Sequence, residues 1–245
     1  MNESLADLVA LRGKRALVTG GGGAIGGAIV SRLHQAGAAV WSVDLPGRAA
    51  PAGARALEAD LADASAADTL AAEIGRDGGT LDVLVHCAGV TRDLSLAKLS
   101  AADWSAVLRV NLDSAFHLLH AALPLLKASG GASVVFISSI NAERGKAGQA
   151  SYAASKAGLI GLARTAALEL GRHGVRVNCV SPGWIDTPMT AAVPEEYRQR
   201  ALAETALGRL GHPDDVARAV LFLCCALGRH VTGQVVRVDG GQLMA

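Results

Sequence analysis

The sequence predicts an α/β fold, a single doubly wound parallel sheet of about seven strands with helices on both faces. Three observations predict it. Short apolar runs alternate with longer segments of helical periodicity along all 245 residues. The apolar runs lack the polar alternation of half-exposed strands, so both of their faces are buried. The runs also stop repeatedly at Asp, Gly or Pro, the residues of turns. At 51% hydrophobic and 18% charged, the chain has enough apolar material to cover both faces of a sheet, and with 3% aromatics that core is aliphatic. A formal net charge of +1 gives no electrostatic case for nucleic acid or an anionic membrane. No linker, repeat or low-complexity segment breaks the alternation. Residues 1–245 are therefore expected to form one domain, with 1–11 as an N-terminal extension.

The elements follow in order. Arg15 to Thr19 read as a buried strand, Gly20 to Gly23 as a turn, and Ala24 to Ala36 as a helix, because Ile25, Ile29 and Leu33 recur every fourth residue. Ala39 to Val43 form a second strand ending at Asp44, and Arg55 to Ala59 a weak third one before Asp60 and Leu61. Ser65 to Arg76 read as a helix and Asp82 to Ala88 as a strong fourth strand. Ala101 to Lys127 are one long helical stretch, in which Pro124 predicts a kink or an earlier end. Ser133 to Ser138 are a β-branched fifth strand, and Ser151 to Gly171 an alanine-rich helix. Val175 to Val180 form the sixth strand, closed by Ser181-Pro182-Gly183. Residues 186–212 are irregular, Pro213 to Leu227 read as a helix begun by proline, and Gln234 to Val238 as the last strand. Right-handed crossovers between parallel strands place sites at the strands' carboxyl ends.

Strand, glycine turn, helix and strand within about thirty residues form the context that makes a glycine motif informative. The run fits Gly21-x-Gly23-x-x-Gly26 and also Thr19-Gly20-x-x-x-Ala24-x-Gly26. In either register the backbone of Gly20, Gly22, Gly23, Ala24, Ile25 and Gly26 can approach a pyrophosphate, which the helix amino end attracts. This makes the sheet Rossmann-like. Asp44 ends the second strand, where its carboxylate can accept from both adenosine ribose hydroxyls and would repel a 2′-phosphate. No Arg or Lys lies between Gly20 and Ile29, although Arg48 follows Asp44, so the expected cofactor is NAD rather than NADP.

Tyr152 and Lys156 stand at i and i+4 on the alanine-rich helix, on one face. A cation one turn away favours the phenolate. Moving a phenol from its usual pKa to neutrality takes about 4 kcal/mol of differential stabilisation. A tyrosine tuned this way can exchange a proton with a substrate oxygen.

These features together resemble the short-chain dehydrogenase/reductase family, from about residue 12 to the end. Ser139 stands before Tyr152 at a spacing similar to the family's serine and tyrosine. Asn111 looks like its helix asparagine, and Pro182-Gly183 with Thr187 like its nicotinamide-side loop. Val231-Thr232-Gly233-Gln234 and Asp239-Gly240-Gly241 look like its carboxy-terminal strand region. Two stretches depart from the pattern. Ala24 replaces a glycine of the turn, and His86-Cys87-Ala88-Gly89 stands where Asn-Asn-Ala-Gly is usual. His86 reads better as strand support than as a catalytic group.

The resemblance implies a catalytic set of Asn111, Ser139, Tyr152 and Lys156. Tyr152 would be the general acid or base, and Ser139 would orient the substrate oxygen. Lys156 would lower the Tyr152 pKa and hold the nicotinamide ribose, and Asn111 would support a water leading to Lys156. It also adds Asp60, Leu61, Ala88, Gly89, Pro182, Gly183, Ile185 and Thr187 to the cofactor contacts. The activity implied is NAD-dependent interconversion of a secondary alcohol and its ketone. A 3-oxoacyl-thioester reductase using NADPH, on acyl carrier protein or CoA, is the alternative, and a non-catalytic nucleotide-binding protein a third reading. The family is usually homotetrameric, which puts interfaces on helices 101–127 and 151–171 and on Leu243-Met244-Ala245.

The pocket rim is expected over residues 91–94, 141–149 and 184–210, with substrate contacts from Ser139, Asn141, Arg144, Gln149 and Trp184. The polar stretch 141–149 suits a polar alcohol or ketone, or an anionic group met by Arg144. A solvated loop would carry the same residues. Residues 186–212 would cover the substrate, with Trp184, Met189 and Tyr197 as an apolar lid. No histidine has metal-ligand spacing, so no metal is expected. Four cysteines without a Cys-x-x-Cys pair, and an N-terminus without an apolar leader, suggest reduced thiols and a cytoplasmic protein. No apolar run matches a membrane span.

Overall fold

The structure is a computed structural model and describes residues 4–191 and 193–244. Seven strands form one parallel sheet: β1 (Arg15–Thr19), β2 (Ala39–Asp44), β3 (Arg55–Glu58), β4 (Val83–His86), β5 (Ser133–Ile137), β6 (Arg176–Pro182) and β7 (Val235–Val238). Their order is β3-β2-β1-β4-β5-β6-β7, so direction of travel reverses between β1 and β4. All carboxyl ends open on one edge of the sheet, and the crevice of a doubly wound fold lies at that reversal.

The helices are α1 (Leu5–Val9), α2 (Ala24–Gln35), α3 (Ser65–Arg76), α4 (Ala101–Leu108), α5 (Ser114–Ser129), α6 (Asn141–Arg144), α7 (Ala150–Leu170), α8 (Pro188–Ala191), α9 (Glu195–Glu204) and α10 (Pro213–Cys224). They cover two cores. Leu17, Leu84, Val134 and Phe136 pack with Leu70, Leu118 and Leu159 from α3, α5 and α7. Ala16, Val18, Val83, Val85 and Val135 pack on the other face with Ile29, Leu33, Val216 and Val220 from α2 and α10. Alternate residues of each strand enter opposite cores, which is why the strands read as unbroken apolar runs.

The expected helix over 101–127 is three elements. A single π turn, Arg109–Asp113, separates α4 from α5 and carries the fully buried Asn111. Pro124 does not end α5, which runs on to Ser129. Its ring is exposed, and the helical bond it cannot make is to the carbonyl of His120, also exposed and so accessible to water. Gly130, at φ 69°, then stops the helix in the left-handed conformation. The irregular stretch 186–212 contains α8 and α9, and α6 has no counterpart among the expected elements. Ala245 and the side chain of Met189 lie outside the described residues. Among the described residues, no helix is long and apolar enough to cross a membrane.

Candidate active site

The glycine turn joins β1 to α2 beside the strand-order reversal. Gly20 has φ 68°, and a Cβ there would stand 2.9 Å from Ala88 Cα, so the turn lies against the end of β4. A Cβ on Gly26 would lie 2.0 Å from the Gly20 carbonyl oxygen. This contact packs the first turn of α2 onto the loop. Gly23 caps α2 without a side chain, and no acidic residue occupies its first turn. The first main-chain bond of the helix comes from Gly27 N–H to Gly23 O at 2.7 Å. The N–H groups of Ala24, Ile25 and Gly26 thus have no carbonyl partner among the described residues, as the first turn of any helix requires. An uncapped, acid-free helix start behind a close-packed glycine loop fits a pyrophosphate.

Asp44 closes this cradle at the end of β2. Its Oδ2 accepts from Gly22 N–H at 2.9 Å and its Oδ1 from Leu45 N–H at 2.8 Å. The carboxylate is thereby oriented, with acceptor capacity left on each oxygen. Arg48 is also close, its Cβ 3.2 Å from where a Gly22 Cβ would stand. Asp60 follows β3, where its Oδ1 takes the Ala62 N–H at 2.9 Å, and Leu61 is buried in the core. Pro182 ends β6. Gly183 comes close to Asp239, whose Cβ would be 2.7 Å from a Cβ at that glycine. Ile185 is buried and bridges to Gly211, and Thr187 lies 3.2 Å from Thr190, hydroxyl to hydroxyl.

Ser139, Tyr152 and Lys156 come together where β5 gives way to α6 and α7. Lys156 is buried and donates to the Ile137 carbonyl at 2.8 Å. Gly89 leaves the space beside it: a Cβ there would be 3.2 Å from Lys156 Nζ and 3.3 Å from Asn111 Oδ1. Asn111 is fully engaged. Its Oδ1 accepts from Val90 N–H at 2.8 Å, and its Nδ2 donates to Val90 O and to Ser155 Oγ, both at 3.0 Å. The π turn thus ties the end of β4 to α7.

The electrostatics differ from the sequence expectation. Burial pushes the Tyr152 phenol above its ordinary value; the Ser139 hydrogen bond opposes this, and Asp93 adds to it. The Lys156 ammonium donates to Ile137 O and stands 5.8 Å from the Tyr152 ring centroid. Burial also lowers Lys156 itself to about 8.

His86 replaces an asparagine of the resembling family, and the geometry makes it a strand tie. Thr19 Oγ1 accepts from Cys87 N–H at 3.1 Å and Ala88 N–H at 3.2 Å, so its own proton goes to His86 Nδ1, 3.1 Å away. That count assigns the ring proton to Nε2, which faces Ser114 Oγ at 3.4 Å. Ser114 passes its proton to Val110 O at 2.6 Å. Burial holds His86 neutral by lowering its pKa to about 3. The unfolded chain, near 6.5, binds the proton that the folded one refuses, so His86 costs stability progressively as pH falls from 6.5 toward 3. The His86→Asn variant should therefore lose about 2 kcal/mol less than the parent between pH 7 and pH 5. Urea unfolding of both proteins at the two pH values measures it, and parallel losses would refute a buried neutral histidine.

The expected substrate residues meet at the mouth of this site. Asn141 N–H donates to Ser139 Oγ at 3.2 Å, and Asn141 Nδ2 to Gln149 Oε1 at 3.0 Å. Arg144 is not a free cation for an anionic substrate, because Nη1 pairs with Glu204 at 3.0 Å. Trp184 is half-buried, its Nε1 has no hydrogen-bond partner among the described residues, and Lys146 Nζ lies 5.0 Å over its ring. Tyr197 is 50% exposed, so it does not close an apolar lid in this arrangement. Asp93, Glu204 and Gln242 also belong to the site's rim, since Glu204 accepts from Gln242 Nε2 at 3.1 Å and Asp93 from Gln149 Nε2 at 2.9 Å. Asp93 and Glu204 fall within stretches 91–94 and 184–210, which the sequence places at the pocket rim, whereas Gln242 does not. Among the described residues, no group of His, Cys, Asp and Glu could hold a metal ion, and all four cysteines are free thiols.

Comparison with known proteins agrees with this geometry. A family model described as enoyl-(acyl carrier protein) reductase matches residues 22–242. The (3R)-3-hydroxyacyl-CoA dehydrogenase of Mus musculus is 43% identical, over 98% of this chain and all of the relative. The 3-oxoacyl-[acyl-carrier-protein] reductase FabG of Thermotoga maritima is 38% identical, over 94% of this chain and 98% of the relative. A solved structure described as a short-chain alcohol dehydrogenase from Sinorhizobium meliloti 1021 superposes with a TM-score of 0.89. It is 30% identical, over 96% of this chain and 98% of its own.

Proposed function

Because the chain belongs to the short-chain dehydrogenase/reductase family, a family of oxidoreductases that act on CH–OH groups with a nicotinamide cofactor, we propose that it is an NAD-dependent enzyme interconverting a secondary alcohol and its ketone. The substrate class proposed is the 3-hydroxyacyl or 3-oxoacyl thioester, on which two of its relatives act by name. The observation that carries the reading is the convergence of Ser139, Tyr152, Lys156 and Asn111 at the carboxyl ends of β4 and β5, beside a turn suited to a dinucleotide.

The backbone N–H groups of Ala24, Ile25 and Gly26 would hold the pyrophosphate, and Asp44 the adenosine ribose. When bound, the nicotinamide ring supplies the hydride acceptor or donor. Ser139 Oγ, held by the Asn141 N–H, can donate its proton to the substrate oxygen in place of Tyr152. This suits a hydroxyl or carbonyl better than a carbon–carbon double bond. Tyr152, raised by burial, is protonated at neutral pH and can give its proton to the ketone oxygen in the reductive direction. In the oxidative direction the same oxygen must first lose that proton. Lys156 has N–H groups beyond the one on Ile137, available for the nicotinamide ribose.

NAD is proposed over NADP because the Asp44 carboxylate faces the glycine turn and pairs with no cation among the described residues. With one substrate, kcat/KM should be at least about tenfold higher with NAD, and Asp44→Ala should narrow the gap. A clear NADP preference in the parent would overturn the assignment. It would favour a second reading, an NADPH-dependent 3-oxoacyl-thioester reductase, which Arg48 beside Gly22 supports.

One domain spanning 1–245, with 186–212 covering the substrate, completes the proposal. A homotetramer is supported by exposed Trp104, Phe116 and Leu168 on α4, α5 and α7, and by Phe222 and Met244 near the carboxyl terminus. A monomer by light scattering at micromolar concentration would contradict it. Four free thiols suit a cytoplasmic protein.

A further inference from the structure

Five side chains from three stretches form one hydrogen-bonded chain across the mouth of the site. Arg144 Nη1 donates to Glu204 Oε2 on α9 at 3.0 Å, and Arg144 Nε to Asn141 Oδ1 at 3.1 Å. Asn141 Nδ2 donates to Gln149 Oε1 at 3.0 Å, and Gln149 Nε2 to Asp93 Oδ2 at 2.9 Å. From Arg144 to Asp93 every bond points the same way, and the ends force that direction. A guanidinium has only donors and a carboxylate only acceptors. A primary amide alone can turn over freely. Between these ends, neither amide can turn without setting donor against donor and acceptor against acceptor. The main chain holds the Asp93 end in place independently, because Leu94 N–H donates to Gly148 O at 2.9 Å and Leu94 bridges Gln149.

Among the described residues, the chain leaves donors unused. Each amide nitrogen carries two N–H bonds and spends one along the chain. Asn141 follows Ser139 closely and is bonded to it, and Gln149 immediately precedes α7, which carries Tyr152. Gln149 is only 9% exposed, so a spare N–H there is costly unless something accepts it. Two fixed donors therefore flank the oxygen-handling pair.

We propose that Asp93 and Arg144 are positioning residues that lock Gln149 and Asn141 as donors, and that these donors select substrates with a second acceptor oxygen near the reacting carbon, the thioester carbonyl of a 3-oxoacyl or 3-hydroxyacyl group. The inference rests on the roles of Ser139 and Tyr152 proposed above. Turned amides would present oxygens to that carbonyl and repel it.

The test compares kcat/KM for reduction of acetoacetyl-CoA with that for a simple aliphatic ketone. It uses the parent, Asp93→Asn and Asp93→Glu, with melting curves to verify folding. Both substrates use Tyr152 and Ser139, so any change in those groups cancels in the ratio. The parent should favour the thioester. Asp93→Asn, whose amide can face Gln149 either way, should cut the preference about tenfold, mainly through KM for the thioester. Asp93→Glu should restore it. A parent that favours the thioester, with a ratio indifferent to Asp93→Asn, overturns the positioning role alone. A parent that reduces the ketone and not the thioester overturns the acyl-thioester reading itself.

Discussion

Replacing Tyr152 by phenylalanine should lower kcat by about a thousandfold or more, while NAD binding changes little. The change removes one hydroxyl and leaves the ring, so Lys156 and the packing of α7 are retained. Ser139 would still bind the substrate oxygen, but the oxygen would have no group to exchange a proton with. The pH dependence should follow the phenol. Burial raises Tyr152, so oxidation of an alcohol should speed up as pH rises toward and beyond 10, whereas ketone reduction uses the protonated form already dominant at neutral pH. Single-turnover rates in both directions, with a separate NAD titration, measure each part. Residual turnover above a few per cent in Tyr152→Phe would remove Tyr152 from proton transfer.

The Gly26→Ala variant should lose cofactor binding and stability together. The added methyl would sit 2.0 Å from Gly20 O, 2.7 Å from Gly20 C and 3.1 Å from Gly21 Cα, all main-chain atoms. No side chain can move aside, so the loop must open, and the loop is the proposed pyrophosphate cradle. A cost of about 3 kcal/mol is expected, with Tm lower by about 10 °C. The same substitution at Gly161, exposed inside α7 with nothing within 4 Å, should instead raise stability by about 1 kcal/mol. Melting curves with and without NAD separate these outcomes. A Gly26→Ala protein that binds NAD normally would show that the turn does not hold the cofactor.

The sheet was legible in the sequence because each strand is buried on both faces and stops at a turn residue. β1, β2 and β5 occur within a residue of their apolar runs. The π turn was not legible. Widening a helix by one residue leaves its apolar spacing nearly unchanged, and only the contacts of Asn111 reveal the reason for it. Pro124 misled because the sequence does not say which face of α5 is wet. The proposed catalytic residues were legible through their spacing along α7 and to Ser139. The direction of the Tyr152 shift was not, since it depends on how deeply the phenol is buried. Asp93 and Glu204 lie in stretches expected at the pocket rim, but their pairing with Gln149 and Arg144 was not legible, because these partners are remote in sequence and joined only by the fold.

The strand order also fixes the sequence of assembly on the ribosome. β1, β2 and β3 emerge first and pair among themselves, with one side of β1 unpaired. That side waits for β4, since Thr19 is matched with His86. Thereafter each strand is laid beside the one just synthesised, β5 on β4, β6 on β5 and β7 on β6. The sheet grows in one direction and always presents its newest edge. A chain interrupted at any of these stages is an open template for another unfinished copy rather than a smaller enzyme.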